Sequence, residues 1–220
     1  MSIGGSKLMK VLNLYAGIGG NRKLWTKENT GLDLQITAVE LDPNIAKIYQ
    51  DFFPDDNVIV GDAHQYLLDH YKEFDFIWTS PPCPTHSQLR YNLGYKANRK
   101  YAKVKAIYPD MKLYQEIILL LHWFPGKWIV ENTIPYYEPL IKGQKTGGHI
   151  IWSNFIVESF DIGNRNHRNG TVESLQHRKG FDLSTYDVIN KRLILRNCVE
   201  PELGLHIFNS MNNQELKLNL

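Results

Sequence analysis

The feature that most constrains this chain is an apolar run that stops at two prolines. Phe74 to Trp78 reads as a buried strand, and Thr79-Ser80-Pro81-Pro82-Cys83-Pro84-Thr85-His86-Ser87 comes directly after it. Proline fixes φ and removes a backbone donor, so this stretch is stiff and non-helical. A thiol sits at its tip. Open α/β sheets put their chemistry in the crevice outside the carboxyl ends of the strands. Alone, the turn fits a reactive cysteine or an ordinary proline-rich turn carrying a small hydrophobe. The flanking segments have to decide.

Upstream, three more strands end in suggestive residues. Lys10 to Tyr15 is apolar and runs into Ala16-Gly17-Ile18-Gly19-Gly20, with a helix expected over Asn21 to Lys27. Glycines allow a ligand close to the backbone, and a helix N-terminus favours negative charge. The second strand, Leu34 to Val39, ends in Glu40-Leu41-Asp42-Pro43. An acid about twenty residues beyond a glycine-rich turn is placed for ribose hydroxyls. Asp42 before Pro43 suits the N-cap of a helix over 44–52, which leaves Glu40 for the ribose. Val58 to Val60 is a third strand, and Asp62-Ala63 after it either caps a helix over 63–71 or meets an adenine amine. Glycine turn, Glu40 and Asp62 together fit an adenosine with no phosphate cradle, which S-adenosylmethionine satisfies.

Downstream, Met111 to Phe124 carries Leu113, Ile117, Ile118 and Leu121 at helical spacing. A fifth strand, Trp128 to Val130, ends in Glu131-Asn132-Thr133 and is expected beside the strand that delivers Cys83. A thiol and a carboxylate on adjacent strand ends can act on one substrate ring. His149 to Val157 reads as a sixth strand. Helices are expected from about Val172 to Gly180 and after Pro201, and the tail after Met211 reads as frayed.

The net charge of +2 makes no general case for nucleic acid. The case is local. Between Gln88 and Lys105, Arg90, Lys96, Arg99, Lys100, Lys103 and Lys105 occur with no acid, interleaved with Tyr91, Tyr95 and Tyr101. That pattern suits phosphates and base stacking as well as a solvated surface. A second basic loop holds Arg165 and Arg168. Cys83 and Cys198 are too few for a disulfide framework and favour a reducing, cytoplasmic setting. No apolar run is long enough for a membrane span, and no metal-ligand spacing stands out.

Taken together, the motifs resemble those of the DNA cytosine-5 methyltransferase family, in the family's order. Asn13 to Gly20 is similar to its first motif, Glu40 to Asp42 and Gly61-Asp62 to the second and third. Ser80 to Cys83 is similar to the Pro-Cys nucleophile motif, and Glu131 to Thr133 to the Glu-Asn-Val motif. His149 to Phe155 resembles the strand after the basic motif, and Arg196 to Val199 the final one. The resemblance implies an α/β fold of the class I S-adenosylmethionine-dependent methyltransferase (Rossmann-like) type, a mixed sheet with helices on both faces. It implies methyl transfer to C5 of cytosine in DNA through a covalent adduct of Cys83 with C6, with Glu131 and His149 as further catalytic residues. The cofactor would meet Tyr15, Ala16, Gly17, Gly19, Gly20, Glu40, Leu41, Asp62, Ala63, Pro82 and Asn197. The substrate would meet Ser87, Arg90, Lys96, Arg99, Lys100, Asn132, Arg165 and Arg168. The base must leave the duplex to be reached.

The chain departs from the family pattern at Asn13, at Arg196 and at His149, which stands where an arginine is usual. Residues 1–160 are expected to form the catalytic and cofactor-binding core. Residues 161–185 would be a vestigial target recognition region and 186–220 a return to the core. So small a recognition region implies low or short sequence specificity, unless 88–105 does the reading, a partner supplies it or the chain forms a homo-oligomer. Three rival readings stay open: an amino-group methyltransferase, a catalytically silent cofactor- or DNA-binding module, and a cytosine-5 methyltransferase acting on tRNA.

Overall fold

The computed structural model describes residues 8–88, 107–163, 170–213 and 215. Arg90, Lys96, Arg99 and Lys100, with most of the basic tyrosine-rich segment, lie outside these residues, as do Arg165, Arg168 and most of the tail after Met211.

The described strands form one sheet in the order β3-β2-β1-β4-β5-β7-β6. They are β1 Met9–Leu14, β2 Leu34–Glu40, β3 Asn57–Val60, β4 Phe76–Thr79, β5 Lys127–Thr133, β6 Gln144–Thr146 and β7 His149–Ser153. The first five run parallel, while β7 is antiparallel to both β5 and β6. The strand order reverses between β1 and β4, so the crevice at their carboxyl ends is the topological switch point where such sheets bind ligands.

Side-chain alternation divides the core into two layers. Leu12, Leu14, Ile77, Trp128, Val130, Ile150 and Trp152 point to one face, against Leu67 of α3 (Ala63–His70) and Leu113, Ile117 and Leu120 of α4 (Lys112–Trp123). Val11, Ile36, Phe76, Trp78, Ile129 and Ile151 point to the other, against Trp25 and Leu203, Ile207 and Phe208 of a helix over Pro201–Asn209. Helices thus cover both faces, as the family pattern implies. α2 (Pro43–Phe52) begins at Asp42, whose carboxylate accepts from the amides of Asn44 and Ile45.

Residues 170–199 pack onto this body rather than standing apart. Leu175 of α5 (Val172–Lys179), Phe181, Leu183 and Leu195 of α6 (Lys191–Asn197) bury against Ile18 of the glycine turn and Ile48 of α2. Gly180 closes α5 at φ 66°, a left-handed cap. The terminal helix, Pro201–Asn209, is α7.

Two expected elements differ. The helix over Asn21 to Lys27 is not formed. The chain makes turns there, and a single helical turn, α1 (Lys27–Thr30), comes later. Long-range contacts hold these turns: Arg22 pairs with Asp56 at 3.0 Å, and the Trp25 indole donates to the Gly204 carbonyl at 3.2 Å. The sixth expected strand ends at Ser153, not Val157, and it is the second arm of a hairpin. Its first arm, β6, has no counterpart among the expected strands. Gln144 fastens the end of that hairpin, its side chain accepting from Val157 N–H at 2.8 Å and donating to the Phe155 carbonyl at 2.9 Å.

Candidate active site

The turn after β4 is built as a rigid platform. Asn132 of β5, 2 % exposed, donates its amide to the Pro81 carbonyl at 2.9 Å and accepts from the Thr133 N–H at 2.9 Å. Its side chain thereby holds the Cys83 turn. His86 and Ser87 N–H groups both donate to the Cys83 carbonyl at 2.9 Å. Ser87 also bridges to Pro135, so it borders the turn.

His86 is buried beneath this platform. Its Nε2–H donates to the Asp110 carbonyl at 3.1 Å, which leaves Nδ1 to accept from the Tyr137 hydroxyl at 2.5 Å. The Tyr114 hydroxyl donates to Tyr137 at 3.3 Å and accepts from the Leu140 N–H at 3.2 Å. Burial pulls the His86 pKa down, so the ring stays neutral, in the tautomer this chain of bonds requires.

Glu131 lies one strand over from the turn, since β4 and β5 pair with Thr79 opposite Val130. Its carboxylate is 5 % exposed and accepts from Nδ1 of His149 on β7. The Ser80 hydroxyl also bonds to it. Burial alone would push the Glu131 carboxyl up. The His149 charge and hydrogen bond, with Ser80 and the more distant Lys179, outweigh it and hold Glu131 below the usual carboxylate range. The Cys83 thiol is pushed up by burial and then by the Glu131 charge, while a hydrogen bond from Thr133 acts the other way. At rest the pair is a thiol beside a carboxylate. Cys83, Glu131 and His149 therefore come together, as the sequence suggested.

The expected cofactor residues line the neighbouring strand ends. Tyr15 and Gly17 both have positive φ, at 54° and 56°. A Cβ on Gly17 would meet nothing within 4 Å, so open space faces it. Gly19 and Gly20 are instead packed, and a Cβ on Gly20 would lie 2.2 Å from the Cys198 sulfur. Glu40 is not free, as the sequence had it. One carboxylate oxygen accepts from Gly17 N–H at 2.9 Å and the other from Asp42 N–H at 3.0 Å, so Glu40 shapes the turn while keeping lone pairs for a hydroxyl. Leu41 is 70 % exposed at the rim, an apolar surface ready to be covered by a ring. Asp62 caps α3 through the amides of His64 and Gln65 and is exposed. Ala16 and Ala63 are buried, and Pro82 is exposed on the Cys83 turn.

Asn197 ends α6 and is exposed; the next residue, Cys198, packs on Gly20. Burial pushes the Cys198 thiol up to about 11. Lys179, 3 % exposed, holds this joint from α5, donating to the Cys198 carbonyl at 2.5 Å and pairing with Glu200 at 2.9 Å. Sequence reasoning missed Lys179, His86, Tyr137 and Glu116. The last left a signal, a charged residue inside the apolar stripe of α4. The open turn fits S-adenosylmethionine: space at Gly17, a carboxylate with spare lone pairs at Glu40 and an uncovered apolar rim at Leu41.

A sheet of this order, with its site at the switch point, defines a class I S-adenosylmethionine-dependent methyltransferase. Among solved structures, the Entamoeba histolytica methyltransferase EhMeth shares this fold, with a TM-score of 0.56 at 10 % identity over 93 % of this chain and 98 % of that one. A sequence profile of C-5 cytosine-specific DNA methylases matches residues 9–129, more than half the chain, and the chain belongs to that family. A tRNA (cytosine(38)-C(5))-methyltransferase from Spodoptera frugiperda is 35 % identical over 77 residues, 34 % of this chain and 23 % of that protein. The match therefore spans about a quarter of that curated relative. A crystal structure of Spodoptera frugiperda DNMT2 aligns at 26 % identity over 57 % of this chain and 35 % of that one, with a TM-score of 0.37.

Proposed function

We propose that this chain methylates C5 of cytosine in DNA, with Cys83 as the nucleophile. One observation carries the reading: the Cys83 turn and Glu131 stand on adjacent strand ends, with His149 on the carboxylate and the open glycine turn next to them. S-adenosylmethionine, when bound, supplies the methyl group. Cytosine C5 is a weak nucleophile until a sulfur adds at C6. Addition makes the bond from Cys83 Sγ to C6 and requires a proton at N3. Glu131 is ionised at rest, so it must take up a proton before donating to N3. The Cys83 thiol and the His149 imidazolium are the two proton sources beside it. Moving the thiol proton through Glu131 to N3 generates the thiolate and neutralises the developing charge together. After methyl transfer the C5 proton leaves to water, the bond from Sγ to C6 breaks, and N3 gives its proton back through Glu131 to the departing thiolate, restoring the thiol.

Residues 88–105, with six basic side chains and no acid, begin five residues beyond Cys83 and would contact the nucleic-acid backbone. Residues 161–185 offer little for reading base edges, so short site specificity goes with this reading. Labelled S-adenosylmethionine and mixed-sequence duplex DNA, read by bisulfite sequencing, test it. Label in cytosine, abolished by Cys83→Ser while S-adenosylhomocysteine still binds, is the expected result. Full activity of Cys83→Ser would sink the nucleophile assignment. A second reading, methylation of a tRNA cytosine, is favoured by the name of the Spodoptera frugiperda relative. Competition between duplex DNA and tRNA for methyl incorporation separates the two.

A further inference from the structure

Glu116 belongs to none of the strand ends that carry the proposed chemistry, yet it touches three pieces of that machinery. It lies on the inner face of α4 and is 1 % exposed. A buried carboxylate is costly unless donors satisfy it. Here Oε1 accepts from the Tyr15 hydroxyl at 2.6 Å and from His64 Nδ1–H at 2.9 Å, and Oε2 accepts from the Thr79 hydroxyl at 2.6 Å. Tyr15 opens the glycine-rich turn. Thr79 ends β4, four residues before Cys83. His64 lies in the first turn of α3, two residues past Asp62. β1 and β4 are sheet neighbours with Leu14 opposite Thr79, so the carboxylate bridges the two turns where they diverge.

The backbone adds a second argument. Tyr15 sits at φ 54°, a left-handed conformation that a bulky residue keeps only when its surroundings hold it there. Two bonds do so: its hydroxyl to Glu116 and the next amide, Ala16 N–H, to the Val39 carbonyl at 3.0 Å. Burial and the Glu116 charge hold the Tyr15 phenol far above its ordinary pKa, so it remains a donor. The hydrogen bond to Glu116 raises His64. Lys112 and Asp62 also face that ring, and they pair loosely with each other at 3.8 Å.

We infer that Glu116 is a positioning residue for methyl transfer: by holding Tyr15, His64 and Thr79 on one buried carboxylate, it fixes the glycine-rich turn relative to the Cys83 turn. The inference rests on the reading that the glycine-rich turn holds S-adenosylmethionine. It requires Glu116 to matter for rate as well as for affinity, because a gap between two turns is a transition-state quantity.

The test compares the full chain with Glu116→Gln, which keeps shape and removes the charge. S-adenosylhomocysteine binding is measured by calorimetry, and single-turnover methylation is measured at saturating cofactor, with thermal melting alongside. Charge-assisted hydrogen bonds of this kind correspond to about tenfold to a hundredfold each in an equilibrium or rate constant. The expected result is affinity at least about tenfold weaker and a saturated rate at least about tenfold slower in a folded protein. A saturated rate equal to that of the parent overturns the inference, whether or not affinity falls. If Glu116→Gln melts below the assay temperature, Tyr15→Phe and Thr79→Val decide. Each removes one hydroxyl from the carboxylate, and each must slow the saturated rate; parental rates in both overturn the inference. A parent chain that binds no S-adenosylhomocysteine refutes the cofactor reading instead, so the two failures are distinguishable.

Discussion

Replacing His149 with leucine removes the cation from Glu131 while keeping most of the bulk. Stripping one partner from a buried ion pair costs about 3–5 kcal/mol. Here 24 % of the His149 side chain is exposed and the Ser80 bond survives, so about 2–3 kcal/mol at pH 7 is the reasoned figure. For a chain of this size that is a melting temperature lower by about 4–12 °C. The pH dependence is the sharper test. In the parent, Glu131 has a folded pKa below its unfolded value near 4.5. Its contribution is therefore complete above that unfolded value, and it is lost only as pH falls through the lower folded one. Between pH 5 and 7 the parent loses nothing through Glu131. In His149→Leu, burial acts against only the Ser80 hydroxyl and the more distant Lys179 charge and raises the carboxyl, so ionised Glu131 becomes a cost that protonation relieves. The deficit of His149→Leu against His149→Leu/Glu131→Gln, which separates Glu131 from the titration of His149 itself, should be large at pH 7 and shrink toward pH 5. Melting curves at the two pH values, with Glu131→Gln in the same background as control, measure it. A deficit that is constant or larger at pH 5 would refute the claim that His149 is what keeps Glu131 charged.

Asn132→Ala frees the Pro81 carbonyl and the Thr133 N–H; it should cost about 1–3 kcal/mol in urea melts and slow methyl transfer, with S-adenosylhomocysteine binding unchanged by calorimetry. Unchanged methylation would show that the Cys83 turn holds itself. Gly20→Ala should melt well below Gly17→Ala. The first puts a methyl 2.4 Å from the Val199 carbonyl oxygen, whereas the second meets open space and bears only the strain of φ 56°, about 1 kcal/mol. The reverse order in thermal melts would contradict the packing at that joint. Iodoacetamide at pH 8 should alkylate Cys83 before Cys198, because burial holds the Cys198 thiol at about 11 and its sulfur packs on Gly20. Peptide mass spectrometry at early times reads the order, and Cys198 modified first would overturn it.

Much of the site was legible because parallel strands buried on both faces read as short apolar runs, and the residues at the carboxyl end of each run are chemically distinctive. Asp42 before Pro43 announced its helix, and Glu131 fell beside the Cys83 turn because β5 was expected beside β4. The helix expected over 21–27 failed for a reason outside its own sequence. Arg22 and Trp25 are claimed by Asp56 and by Gly204 of the terminal helix, contacts that no local pattern contains. β6 is three residues of polar and small side chains, with no periodicity to find. On α4, Ile118 was read as packing and is 39 % exposed, whereas Glu116, one turn from Leu113 and Leu120, is inside. Hydropathy could not rank that glutamate as core, since what buries it is three donors from distant parts of the chain. Glu40 stands at the strand end where it was expected, and its hold on the Gly17 and Asp42 amides went unread because backbone amides have no sequence signature.

The bonds around His86 have a bearing on how this protein could vary. Thr85 Oγ1 accepts from the Asp110 N–H at 2.9 Å, and His86 donates to the carbonyl of that same residue at 3.1 Å. The chain on either side of residues 89–106 is thus stapled at one point. A change at Thr85 or His86 therefore reaches the segment that leads into α4 as well as the Cys83 platform, so the two vary together.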